Sequence, residues 1–357
     1  METARVEKLR QRMEHLGYEA YFTSHSYNRR YISGFTGSSG YVLVTKHKAI
    51  LFTDFRYMTQ APMQAKAFEV IEHGPNVMEH VLKSLQEQGI RQLAFEKEHV
   101  SYAEYEQFQS SLSGIELIPA DSLIEQLRMY KDAEEIQIMQ EAADLADRTF
   151  EHLLHLIRPG MKELDVALEI EMFMRKNGAA STSFDTIAAS GERSAMPHGT
   201  ASDRVLGKNE FLTLDYGAYY KGYCSDITRT IVIGKPSEKH REIYNIVLEA
   251  QLACLEGLKP GLTGREGDAL ARDIIAKYGY GDHFGHGTGH GLGLEVHEAP
   301  RLSKTCDTVL ESGMAVTVEP GIYLPGFGGV RIEDDVILTD SGIRVLTKAP
   351  KDLITID

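Results

Sequence analysis

The hydrophobic pattern changes character about a third of the way along the chain. From Lys131 onward, KDAEEIQIMQEAADLADRTFEHLLHL carries Ile136, Met139, Ala143, Ala146, Phe150 and Leu153 at helical spacing and ends at RPG (Arg158–Gly160). A second helix is predicted over Glu163–Asn177, stopped by Gly178. A third spans Glu238–Leu258 and stops at KPG (Lys259–Gly261), and a fourth runs from Gly264 to about Tyr278. The helix pairs are followed by stretches that alternate instead. FLTLDYGAYYKGYCSDITRTIVI and AVTVEPGIYLPGFGGVRIEDDVIL read as hairpins with Gly-rich centres.

Residues 1–124 read as a separate α/β unit. Arg5–Leu16, Val77–Gln88 and Tyr102–Leu112 have helical periodicity; Tyr41–Thr45, Ala49–Thr53 and Gln92–Phe95 read as strands. No catalytic set stands out there. GFTGSSG (Gly34–Gly40) lacks the lysine of a phosphate-binding loop and reads as a turn. Residues 125–357 form the second predicted domain. At 357 residues, two domains are the natural expectation.

The second domain looks duplicated. LIRPGMKELDVALEIEMFMRKNG answers GLKPGLTGREGDALARDIIAKYG, with Pro159 and Pro260 101 positions apart. Each copy is followed by a hairpin bearing two carboxylates, Asp215 and Asp226 in the first, Glu319 and Glu333 in the second, at offsets of 104 and 107. The predicted class is therefore α+β, with two halves packed about a pseudo-twofold axis.

Those four carboxylates and His290 suit hard or borderline divalent ions, not a thiolate zinc site. Two bare carboxylates held face to face in a hairpin repel, and a cation between them removes that cost. Glycines 287, 289, 291 and 293 around His290 are expected to let the backbone pass close to other strands. Asp334 should point away from the carboxylate face, and Asp335 back toward it. Cys224 lies two residues from Asp226, but a thiolate matches this ligand set poorly.

Composition narrows the classes. Net charge is −14, with 52 acidic and 38 basic residues, which argues against nucleic acid or an anionic membrane as partner. No apolar run is long enough to span a bilayer. METARVEKLRQRMEHLGYEAY is an amphipathic helix start and not a signal peptide. Three cysteines without paired spacing point to a reducing, cytoplasmic setting. A nucleotide-binding reading of GHGTGHG finds no strand before it and no helix start after it.

At LDYGAYYKGYCSDITRT, GHGTGHGLGLEVHE, VEPG and VRIEDD the chain resembles the pita-bread metallopeptidases: prolidase, aminopeptidase P and methionine aminopeptidase. The likeness runs from about Ile124 to the end of the sequence. Residues before it resemble the creatinase-type domain carried by prolidases and aminopeptidases P, which weighs against methionine aminopeptidase. The five intact ligand positions argue against creatinase and against non-catalytic binding modules on the same fold.

The resemblance implies two divalent ions, manganese first, with cobalt or zinc also fitting. Asp215 is implied to bind one ion, His290 and Glu319 the other, and Asp226 and Glu333 to bridge them, with a shared water as nucleophile. His198, in MPHG, and His297, in EVHE, are implied to meet the scissile carbonyl, and Arg331 to orient the carboxylates. His286, Arg301 and Tyr323 are implied substrate contacts, Arg301 for a free carboxylate. Proline-containing peptides are the expected substrates and a homodimer the expected assembly. Xaa-Pro dipeptidase is the leading activity, aminopeptidase P on longer peptides the alternative.

Overall fold

The structure, a computed structural model, describes residues 2–357. The chain divides into a unit ending at Arg128 and a second unit, Met129–Asp357. The division falls after a short helix, Leu123–Arg128.

The first unit is built on a six-stranded mixed sheet. Its central strand, Ala20–Thr23, pairs antiparallel with Tyr41–Thr45 and parallel with Gln92–Glu96. Phe22, Leu43, Phe52, Leu85, Phe95 and Phe108 fill the core between sheet and helices. Asn76 and Ser101 cap the helices that follow them, each cap being worth about 1 kcal/mol. Ala20–Thr23 is buried along its whole length, so it shows no polar alternation. His25, Glu96 and Glu125 approach closely enough to hold a cation. The Asn28 amide already donates to one oxygen of each carboxylate, at 2.6 Å.

The second unit repeats one plan. Ala133–Leu156 and Glu163–Lys176 open the first half, Glu238–Gly257 and Gly264–Lys277 the second. Asp132 caps the first of these helices and reciprocates with Glu135, so KDAEE works as a capping box. Ser237 and Thr263 cap the helices of the second half. Each half has its own apolar core, Phe150, Ile170 and Leu214 in one, Val247, Ile275 and Val316 in the other.

Both predicted hairpins are bent, and the bends carry the acids. In the first, Glu210–Tyr216 pairs with Ile227–Ile233, while the tip strands Ala218–Tyr220 and Tyr223–Cys224 join a different small sheet with Ser181–Thr182. In the second, Ala315–Val318 pairs with Asp334–Thr339, and the tip, Gly321–Leu324 with Gly328–Arg331, forms its own ribbon. Asp226, Glu319 and Glu333 fall in the breaks between inner and outer strands. Asp215 stands opposite Thr228, not opposite Asp226, so the two aspartates meet on a diagonal of one face. That corrects the face-to-face expectation. Strand register preserves the side-chain face at a two-residue offset.

Candidate metal centre

The bent hairpins deliver their acids to one cavity of about 610 Å³. Asp215, Asp226, His290, Glu319 and Glu333 all line it, together with His198, His286, His297, Arg301 and Arg331. Candidate ligand atoms of Asp226, His290 and Glu333 lie within 4.8 Å of one another. His290 Nε2 is 3.5 Å from Glu319 Oε1 and 3.7 Å from Asp226 Oδ2. His290 Nδ1 lies 3.1 Å from its neighbour's carbonyl, Gly291 O, which leaves the Nε2 lone pair facing the carboxylates. Burial, and then the neighbouring His297, hold the His290 imidazole down to about 3, so it is neutral at physiological pH.

The glycines beside His290 act as expected. A Cβ on Gly289 would lie 1.9 Å from Thr317 O, and one on Gly291 2.3 Å from Ala299 O. Only a residue without a side chain lets Gly289–Gly291 lie between its two neighbouring strands. GHGTGHG thus contains a strand and not a phosphate loop.

Arg331 is a buried guanidinium embedded among the acids. Nη2 donates to Asp215 Oδ2 at 2.5 Å, Nη1 to Tyr323 OH at 2.8 Å and Nε to Thr228 Oγ1 at 3.1 Å. Thr228 Oγ1 in turn donates to Glu333 Oε2 at 2.6 Å. Asp335 accepts from the Asp226 backbone N–H at 2.9 Å. Asp334 faces away and takes Arg229, Gln251, Thr347 and Lys351.

Histidine-bearing segments are anchored from behind. Asp268 accepts from Thr288 N and Thr288 Oγ1, both at 2.9 Å, and from Arg272. Arg272 also donates to Phe284 O and His286 O. His286 lies along the cavity wall, its Nε2 2.7 Å from Tyr323 OH. Burial is the main reason its ring is held down to about 4.

One expectation, Tyr323 as a substrate contact, needs correction. Tyr323 does not line the cavity; its hydroxyl is engaged by His286 and Arg331, and burial pushes it up to about 12. It therefore orients these two neighbours. Cys224 is buried beside Leu294 O, with its thiol pushed up to about 12 by burial, and does not line the cavity either. Phe184, Asp185, Ile187, Thr200, Val296 and Ser303 also line the cavity and were not singled out from the sequence. They sit outside the repeated motifs, and no spacing marks them.

The residues fit divalent cations on two grounds. Among the described residues, Asp215 Oδ1 and Asp226 Oδ1 are buried and meet no hydrogen-bond donor. Buried acceptors left so are costly unless something else meets them. Burial, and secondly the other acids, push Asp226 and Glu333 well above the usual carboxylate range. Glu319 is raised to about 7, chiefly by burial. A bound cation reverses that crowding.

Comparison with known proteins gives this arrangement its lineage. Residues 137–340 match the model of metallopeptidase family M24, and residues 5–130 that of the creatinase/prolidase N-terminal domain. The chain belongs to metallopeptidase family M24. It is accordingly a metallopeptidase, with a creatinase-type unit ahead of a pita-bread catalytic unit. An Xaa-Pro dipeptidase of Pyrococcus furiosus is 42% identical over 98% of this chain and 99% of its own length. The solved Xaa-Pro dipeptidase of Bacillus anthracis is 53% identical, with a TM-score of 0.98 over the full length of both chains. The X-Pro aminopeptidase of Thermotoga maritima is 41% identical, with a TM-score of 0.91 over 97% of this chain and 100% of that one.

If the cavity binds divalent ions, adding manganese to chelated protein raises its melting temperature. At about 100 times the dissociation constant the gain is about 2.7 kcal/mol. Differential scanning fluorimetry across a manganese series reads this directly; an unchanged melting curve contradicts it.

Proposed function

We propose that this metallopeptidase is an Xaa-Pro dipeptidase, splitting the bond between an N-terminal residue and a C-terminal proline. Arg301 carries the reading. Its strand, Glu298–Leu302, pairs with the His290 strand, and its exposed guanidinium lines the cavity. Among the described residues it has no hydrogen-bond or ion-pair partner. A free substrate carboxylate fits such a group bidentately, and only a dipeptide presents one next to the scissile bond.

Asp215, Asp226, His290, Glu319 and Glu333 would hold two divalent ions. The oxygen-rich set favours manganese, with cobalt and zinc as alternatives. Bound there, the ions supply Lewis acidity toward the scissile carbonyl and a water acidic enough to attack at neutral pH. The chain supplies the rest. His198 and His297 are exposed on the cavity wall and donate to the carbonyl oxygen as negative charge develops on it. Arg331 holds the Asp215 carboxylate in line through its Nη2. Phe184, Ile187, Pro197 and Val296 give the proline ring an apolar wall. His286 lines the wall and holds Tyr323 against Arg331.

Aminopeptidase P action on longer peptides is the second reading, favoured by the comparable likeness to the Thermotoga enzyme. Rates on Ala-Pro and Ala-Pro-Ala separate the two. The dipeptidase reading predicts preference for Ala-Pro. It also predicts that Arg301→Ala raises the Ala-Pro KM by ~10–150-fold, the loss of a charged hydrogen bond worth about 1.5–3 kcal/mol. Faster cleavage of Ala-Pro-Ala, with Arg301→Ala unimpaired, contradicts it.

A cytoplasmic homodimer completes the proposal. All three cysteines are unpaired, as suits a reducing compartment. No helix among the described residues is long and apolar enough to cross a membrane. Light scattering tests the dimer.

A further inference from the structure

One buried carboxylate outside the cavity grips both ends of the loop that bears His198. Glu163 opens the helix Glu163–Lys176 and is 0% exposed. Its Oε1 accepts from Ser190 N and Ser190 Oγ, both at 2.7 Å. Its Oε2 accepts from Ser202 N at 3.1 Å, Ser202 Oγ at 2.6 Å and Arg193 Nε at 3.0 Å. Ser190 ends the strand Ile187–Ser190 as the loop begins, and Ser202 is where the loop returns to the helix. Arg193 closes the span from inside, since its Nη2 donates to Thr200 O. The backbone adds two ties, Glu163 N to Arg204 O at 3.0 Å and Leu164 N to Ser202 O at 3.1 Å.

Within that span lie Pro197, His198 and Thr200, all lining the cavity. His198 is exposed, and its imidazole makes no hydrogen bond among the described residues. Its place is therefore set by its backbone, and the backbone is set by the clamp. An acid in the first turn of a helix commonly serves that helix's own N–H groups. Here none of the five donors on the Glu163 side chain comes from its own helix. Each Glu163 oxygen meets at least one N–H, so both must accept, which an amide cannot do.

Resting on the reading of His198 as a carbonyl contact, we propose that Glu163 is the positioning residue for His198. It acts through the Ser190–Arg193–Ser202 clamp and touches neither substrate nor metal. Because a carbonyl contact matters most as charge develops, the expected loss is in kcat more than in KM.

A double-mutant cycle on the manganese-loaded full-length protein tests this, with Ala-Pro as substrate. Glu163→Gln keeps the side-chain volume but turns an amide N–H₂ toward donors. It is expected to lower kcat by ~10–100-fold, the scale of a displaced catalytic group. His198→Ala is expected to lose a similar amount. The double variant should then fall no further than the weaker single, because the two changes remove one interaction. Multiplying losses overturn the proposal. Hydrogen exchange gives a readout independent of activity: amides of residues 195–200 should exchange faster in Glu163→Gln, with the second half of the unit unchanged. Unaltered exchange there also overturns it. Should Glu163→Gln not fold, Arg193→Met leaves the carboxylate but cuts the tie to Thr200. It must show the same kcat loss and the same non-additivity with His198→Ala, and wild-type kcat overturns the proposal. A fully active His198→Ala instead defeats the reading of His198 on which the clamp's purpose depends. An impaired His198→Ala beside a fully active Glu163→Gln leaves that reading standing and defeats only the clamp.

Discussion

Asp226→Asn is expected to lose more than 100-fold in peptidase activity while leaving the metal-free protein at least as stable as the wild type. The two effects have one cause. Asp226 is 4% exposed, and its Oδ1 meets no donor among the described residues. Burial and the neighbouring Glu333 push its carboxyl well above the usual range. An amide of the same shape removes a charge that the metal-free fold tolerates badly. It also removes the anionic oxygen a divalent ion needs. Loss of an outer partner of a metal ligand typically costs about 10–100-fold, so loss of a ligand should cost more. Glu333→Gln should behave alike, since Glu333 is equally buried and likewise raised. Steady-state kinetics with manganese, beside melting curves with and without chelator, check both halves. Wild-type activity in either variant, at wild-type metal content, rules out the assigned ligands.

Arg331→Lys is expected to cost about 10–100-fold in kcat and roughly 1–3 kcal/mol in stability. The charge survives, but the fork does not. Three nitrogens of Arg331 address three elements at once: Asp215 on the first hairpin, Tyr323 on the second, and Thr228 on the strand between Asp226 and the core. An ammonium at the end of a flexible stem keeps the ion pair with Asp215 and strands the other two oxygens. Tyr323 then loses one of the two groups that fix its hydroxyl, and Thr228, which donates to Glu333, loses the donor to its own oxygen. Denaturant unfolding and kcat on Ala-Pro measure the two losses separately. A lysine variant with wild-type kcat shows that charge alone suffices at this position.

The repeat was the most legible part of the molecule. Pro-Gly stops, helical periodicity and four acids at matching offsets located both halves and both hairpins, because each follows from local chemistry. The hairpins' bends were not legible. Whether Tyr216 and Ile227 continue into the tip or break from it depends on which sheet accepts the tip strands, a tertiary choice. Ala20–Thr23 escaped notice because a fully buried strand has no polar partner positions. The groups that hold the site from behind were invisible for another reason. Glu163, Asp268 and Arg272 look like ordinary polar residues on amphipathic helices, and only the fold reveals that their side chains end on loop backbones. Arg301 and Tyr323 illustrate the limit from the other side. Both matched family positions, yet only Arg301 lines the cavity, while Tyr323 serves the wall behind it.

The central claim is that this cavity is a metal-dependent Xaa-Pro dipeptidase site, and titrating metal back into the chelated enzyme while following Ala-Pro hydrolysis addresses it most directly. The account predicts no hydrolysis without metal and a return of activity that saturates near two manganese ions per chain. Hydrolysis that survives full chelation, or none at any metal concentration, contradicts it.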